Sequence, residues 1–120
     1  MAGKRRVNQA LYETSVKLRI AGKRGGSRIW PRLAGMLLLP KRRRVRVNVL
    51  KINRETSPGE SVAVAGKVLG FGDLDHAVTV SAYSFSPAAR KKILEAGGRC
   101  MSLEEMAEEN PRGSNVKIIR

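Results

Sequence analysis

Acidic residues are nearly missing from the first half of this chain: residues 1–54 hold one, Glu13, against sixteen Lys and Arg. Histidine and cysteine occur once each, as His76 and Cys100, and aromatic residues make up only 4%. No apolar run approaches the roughly 18 residues that a membrane-spanning helix needs; the longest, "MLLLP", stops at Pro40. Each scarcity excludes something. One cysteine forms no internal disulfide, and a lone thiol fits a reducing cytosol. One His with one Cys cannot close a zinc site. No hydrophobic stretch follows the basic start, so no signal peptide is expected. With so few aromatics, the core has to rest on Leu, Ile, Val and Ala.

What is abundant is positive charge. The 120 residues suit one modest core and carry a net charge of +14, with a pI near 11.1. Residues 55–120 balance eight Lys and Arg against nine acids, so the excess lies entirely in the first half. Crowded like charges repel and destabilise a folded chain unless a counter-charge is present. Nucleic acid is the commonest polyanion that supplies one, and a membrane surface is the rival.

Along the chain, residues 1–6 are short, charged and without an apolar face, and read as a basic extension. Val7, Leu11, Ser15 and Leu18 then recur at helical spacing, predicting a helix that ends at Gly22. "GKRGGSR", residues 22–28, reads as a cationic glycine turn. Ser27 caps a second helix carrying Ile29, Trp30, Leu33, Leu37 and Leu38, with Pro31 in its first turn and Pro40 as its stop. "VRVNVLKINR", residues 45–54, fits two periods at once: Val45, Val47 and Val49 alternate as in a strand, whereas Val45, Val49 and Ile52 share a helical face. "TSPGE", residues 56–60, is a turn or linker where the charge balance shifts.

Beyond it, strands alternate with helices, which implies an α/β architecture. "SVAVAGKVLG" and "HAVTVSAYSF" are strands, the second with Val78, Val80 and Ala82 on one side. Ser86 and Pro87 start a helix that turns Ala89, Ile93 and Leu94 inward and ends at Gly97. "RCMSL" is a short strand, Ser102 and Glu105 form a capping box for the next helix, and "NVKIIR" is a last strand.

Candidate catalytic chemistry is thin. His76, in "GDLDHA" beside Asp73 and Asp75, reads as a solvated loop residue without an oriented partner. Cys100 lies in an apolar strand, where a thiol is inert packing. Glu104, Glu105, Glu108 and Glu109 read as a solvated acidic face. "GKVLGFGD", residues 66–73, lacks the Gly-Lys-Ser/Thr ending of a nucleotide loop and reads as a tight turn in which Lys67 meets a phosphate. Clustered cations carry the strongest chemistry, because Arg forms paired N–H bonds to phosphate and Lys supplies a point charge. The candidate RNA-binding set is Lys4, Arg5, Arg6, Lys23, Arg24, Arg28, Arg32, Lys41, Arg42, Arg43, Arg44, Arg46 and Lys67, with Trp30 as a base-stacking candidate. No zinc finger, basic dimer helix or strand-borne aromatic pair is present, so contact is expected with backbone and shape rather than base sequence. A free-standing DNA-binding architectural protein is the alternative reading, and an enzyme of phosphorylated substrates a third.

The segments "IWPRLAGML", "PKRRRVRVNVLKINR", "VAVAGKVLGFGDL", "SFSPAARKKILEAGG" and "LEEMAEENPRGSNVKIIR" follow one another as in a known family. Together, from about Asn8 to Arg120, they resemble the archaeal and eukaryotic eighteen-e family of the large ribosomal subunit, related to bacterial ribosomal protein fifteen. Ala65 stands where a proline is frequent in that family and Val49 where leucine is, and neither departure touches a charged position. The length resembles that of the archaeal form. The resemblance implies a structural, non-enzymatic protein of the cytoplasmic ribosome, without cofactor or metal, whose partners are large-subunit ribosomal RNA and neighbouring ribosomal proteins. It implies an irregular strand-strand-helix α/β domain (residues 55–120) preceded by a basic helical RNA-binding segment (7–54) and the extension (1–6), with 7–120 as one folded unit. It also implies that residues 45–54 are helical.

Overall fold

The computed structural model describes residues 8–120. Two helices come first. Helix α1, Gln9–Gly25, is capped by Asn8, whose side chain accepts the N–H groups of Ala10 and Leu11. It runs past Gly22 to a left-handed cap at Gly26, three residues further than its apolar spacing predicts. Gly22 is helical because its missing side chain leaves room for the Pro31 ring of the next helix. Lys23 and Arg24 therefore sit in the last helical turn rather than in a loop, where cations oppose the exposed carbonyl end. Helix α2, Ile29–Leu37, follows, and the Ser27 hydroxyl accepts the Ile29 N–H.

The ambiguous stretch resolves into both of its readings. After a 3₁₀ turn at Lys41–Arg43, strand β1 is Val45–Asn48 and helix α3 is Val49–Glu55. The helical reading thus holds only from Val49 onward. Alternation wins in the first four residues because they pair with a neighbouring strand: Val45 to Asn48 lie parallel to Gly66 to Leu69 of β2, Ser61–Leu69. Gly66 is required there, since a side chain at that position would collide with the Val45 carbonyl.

The remaining elements are β3, Thr79–Phe85; α4, Pro87–Glu95; β4, Arg99–Ser102; α5, Leu103–Glu109; and β5, Val116–Ile118. All strand pairings are parallel, in the order β1-β2-β3-β4. Strand β5 pairs with the first three residues of β2, on the same edge that β1 occupies further along. The Ser86 and Ser102 caps form as expected, the second as a full capping box with Glu105.

Helices cover both faces of the sheet, which is why β2 is buried from Val62 to Gly66 without a polar alternation. Ala63 and Ala65 face α1, α2 and α5, against Leu11, Leu18, Trp30, Leu33, Leu37, Leu103 and Met106. Val62, Val64 and Val68 face α3 and α4, with Val47, Val49, Ile52, Val80, Ile93 and Ile119. Leu94, expected inward, is 53% exposed; Ala89 and Ile93 already fill the sheet-facing side of α4.

A polar link joins α1 to α5. The Thr14 hydroxyl donates to Glu104 at 2.8 Å and the Lys17 ammonium approaches it at 3.0 Å. Burial alone would push the Glu104 carboxyl up, but Thr14 and Lys17 outweigh it and hold the group below its ordinary 4.5. A folded value below the unfolded one contributes stability above the unfolded value and loses it as the pH falls through the folded one. Glu104→Gln should therefore cost about 1 kcal/mol near neutral pH. The difference from the parent chain should fade in urea titrations repeated at pH values falling below the ordinary 4.5.

Candidate nucleic-acid interface

The predicted cations fall into three places. Lys23 and Arg24 project from the last turn of α1 and are exposed. Arg28 and Arg32 stand at the start of α2, where they line a hollow of about 360 Å³ with Ile29, Val116 and Ile118. The third group gathers around β1. Arg42, Arg44 and Arg46 line an open groove of about 750 Å³ with Pro40, and Arg43 is exposed beside them on the 3₁₀ turn. Lys4, Arg5 and Arg6 lie outside the described residues, as does the side chain of Lys41.

Lys67 is not in a turn. It lies within β2, and the turn begins only at Gly70. Residues 66–69 continue the strand because they pair with β1 on one edge and, from Lys67, with β3 on the other. This placement brings Lys67 directly opposite Arg46 in the parallel register. Together with Arg44, Val45, Gly66, Tyr83 and Ser84 they line a smaller groove of about 160 Å³. Its lining holds three cations and two hydroxyls and no carboxylate. Tyr83 and Ser84 escape sequence reasoning, since β3 gives no sign of its neighbours; the parallel register that sets Lys67 against Ser84 is what recruits them.

These side chains lack acidic partners. The ion pairs among the described residues join Lys17 to Glu104, Lys51 to Glu55, His76 to Asp75, Arg99 to Glu109 and Lys117 to Glu60. None involves Lys23, Arg24, Arg28, Arg32, Arg42, Arg43, Arg44, Arg46 or Lys67. The site is thus a set of cationic grooves without a paired carboxylate among the described residues. Arg44 is partly tied down, with its Nε–H donating to the Leu39 carbonyl at 3.3 Å.

Trp30 is no stacking platform. It is fully buried between the helices, and its indole N–H donates to the Asn110 carbonyl at 3.0 Å. Its helical position among Leu33, Ala34 and Leu37 turns it to the core. Nor is His76 a freely solvated loop residue, since its side chain is only 12% exposed. The Thr56 hydroxyl donates to the Ile52 carbonyl and lies within hydrogen-bond distance, 2.7 Å, of His76 Nε2. The Asp75 carboxylate accepts from Nδ1 at 2.9 Å, and this hydrogen bond lowers the Asp75 pKa. His76 thus staples the loop before β3 to the end of α3. Burial pushes the Cys100 thiol up, against the pull of Arg90, so it is a poor nucleophile.

Since Trp30 is the only tryptophan, its fluorescence reports the core directly. Its emission should be blue-shifted and unaffected by iodide or added RNA, whereas Trp30→Ala should lower the unfolding free energy by roughly 3–5 kcal/mol.

Comparison with known proteins agrees with this geometry. Residues 7–120 match the family described as ribosomal protein 60S L18 and 50S L18e. The large ribosomal subunit protein eL18 of Methanothermobacter thermautotrophicus is 46% identical over 114 residues, covering 95% of this chain and 94% of that protein. Its counterpart from Methanoregula boonei is 40% identical over 115 residues, covering 96% of this chain and 95% of that protein. That of Archaeoglobus fulgidus is 47% identical over 91 residues, covering 76% and 78%.

Proposed function

The chain belongs to the L18 and L18e family of large-subunit ribosomal proteins, structural and non-enzymatic constituents of the ribosome, and from that premise we propose that it binds ribosomal RNA through the unpaired cations of its basic half. The protein acts in the cytoplasm as part of the large subunit, beside other ribosomal proteins. The observation that carries the reading is the segregation of charge: four acids pair with Lys17, Lys51, Arg99 and Lys117, while among the described residues Lys23, Arg24, Arg28, Arg32, Arg42, Arg43, Arg44, Arg46 and Lys67 have no carboxylate within 4.0 Å.

The mechanism is counterion exchange. Phosphates that settle among Arg28 and Arg32, or between Arg44, Arg46 and Lys67, release the cations condensed on the RNA, and the gain in their entropy drives binding. Guanidinium groups suit the grooves because they meet phosphate through two parallel N–H bonds. The hydroxyls of Tyr83 and Ser84 add neutral donors. Lys23 and Arg24 add charge at the end of α1. The two-sided apolar core fixes the backbone that carries these groups, so binding has to order their side chains but not the chain itself.

Affinity for purified large-subunit ribosomal RNA, measured across a salt series, tests this. If six to ten phosphates are neutralised, log affinity should fall against log salt with a slope of roughly −5 to −9. Arg42→Ala combined with Arg46→Ala should make that slope shallower by about 2. Both side chains are exposed, so the melting temperature should not move. A flat salt dependence in the parent chain would refute the electrostatic mechanism.

A further inference from the structure

Phe71 is 69% exposed, more than any other large apolar side chain that faces solvent among the described residues. It belongs to the loop that leaves the end of β2, in "GFG", residues 70–72. An exposed phenylalanine on a mobile loop would mean little. This one is held from beneath on every side. The Lys92 ammonium of α4 donates to the Gly70 carbonyl at 2.7 Å and to the Gly72 carbonyl at 2.6 Å. The Phe71 carbonyl accepts the Leu50 N–H of α3 at 3.1 Å. Gly72 has φ +93° and lies against Leu50, where a side chain would collide. All three carbonyls are satisfied within the protein, while the ring is left in water.

The surroundings say what the ring is for. Both acceptors of the Lys92 ammonium are neutral carbonyls, so its charge is not cancelled. Lys91 is exposed on the same helix, one turn from Ala88, which abuts Gly70. Neither lysine has a carboxylate within 4.0 Å. Asp73 follows the tip directly in the chain, and Glu95 lies four residues beyond Lys91 at the end of α4 without pairing with either lysine. The apolar pocket of a protein partner would have to strip water from two uncompensated cations. A nucleotide meets both demands, with a flat base for the ring and a phosphate for the ammonium groups. The loop leaves the same end of β2 that holds Lys67 opposite Arg46.

We propose that Phe71 is a pre-positioned stacking platform for an unpaired base of ribosomal RNA, with Lys91 and Lys92 drawing in the adjoining backbone. The inference rests on the RNA-binding reading above and adds to it a contact that carries no charge. Because the backbone is fixed beforehand, stacking requires no loop ordering. The platform lies in the nearly neutral half of the chain, outside the clusters that charge density picks out.

The test is equilibrium binding of the full chain to purified large-subunit ribosomal RNA across a salt series, for the parent and for Phe71→Ala, Phe71→Leu and Phe71→Tyr. Thermal melting of each variant should match the parent, since the ring is outside the core. Phe71→Ala should weaken binding on the order of ten-fold with an unchanged salt slope. Phe71→Tyr should keep the parent affinity, and Phe71→Leu should not. A steep salt slope with an alanine variant that binds as the parent does would overturn the platform alone. So would a leucine variant as good as tyrosine, which would indicate an apolar pocket rather than a base. A parent chain with no salt-dependent binding would overturn the underlying reading and the platform with it.

Discussion

The close approach of β1 to β2 at Gly66 is the contact on which the rest of the arrangement depends. The Val45 carbonyl occupies the space where a side chain at residue 66 would begin. That contact admits a strand from the basic half into the edge of the sheet and fixes its register. The register then decides which side chains meet: Arg46 stands beside Lys67, and Val47 enters the layer shared with α3 and α4. A dense run of cations is thereby fused to a buried segment for a mechanical reason. The valines and Ile52 anchor the stretch, Arg46 is turned outward by the alternation of the strand, and Arg42 and Arg43 stand exposed on the 3₁₀ turn before it.

This anchoring lets the molecule tolerate its own charge. A net charge of +14 on 120 residues opposes folding through self-repulsion, and few of the cations find relief inside the chain. The opposing term is apolar burial on both faces of a parallel sheet, with small residues such as Ala63 and Ala65 under the first helix layer and valines under the second. Carboxylates are spent where they join elements, as Glu104 joins α5 to α1, rather than in neutralising the grooves. Stability and binding are thus assigned to different residues.

Much of the fold was legible in the sequence because its punctuation is chemical. Ser86–Pro87 and the Ser102–Glu105 box mark helix starts by side-chain hydrogen bonds that are local, and the strand-helix alternation after residue 60 follows from them. What was not legible depends on partners distant in the chain. Residues 45–54 satisfy two periods, and only pairing with β2 selects a strand for the first four. Helix α1 continues through Gly22 because Pro31 packs there. Trp30 looked available for stacking, yet Asn110, eighty residues away, holds its N–H. For the site, charge density correctly marks exposed arginines but cannot say which of them share a groove. It also placed Lys67 in a turn, and it is blind to Tyr83 and Ser84, whose part is set by register alone.

Strand β5 covers the first part of the β2 edge, and Ile119 just beyond it closes the layer facing α3 and α4. These residues follow every other sheet element in chain order. During synthesis, the first residues of β2 emerge more than fifty residues before the strand that finishes their border, and until then that border presents unpaired amide groups. A chain cut short before residue 116 would therefore have both an open strand edge, the kind that pairs with other chains, and a gap in its apolar interior.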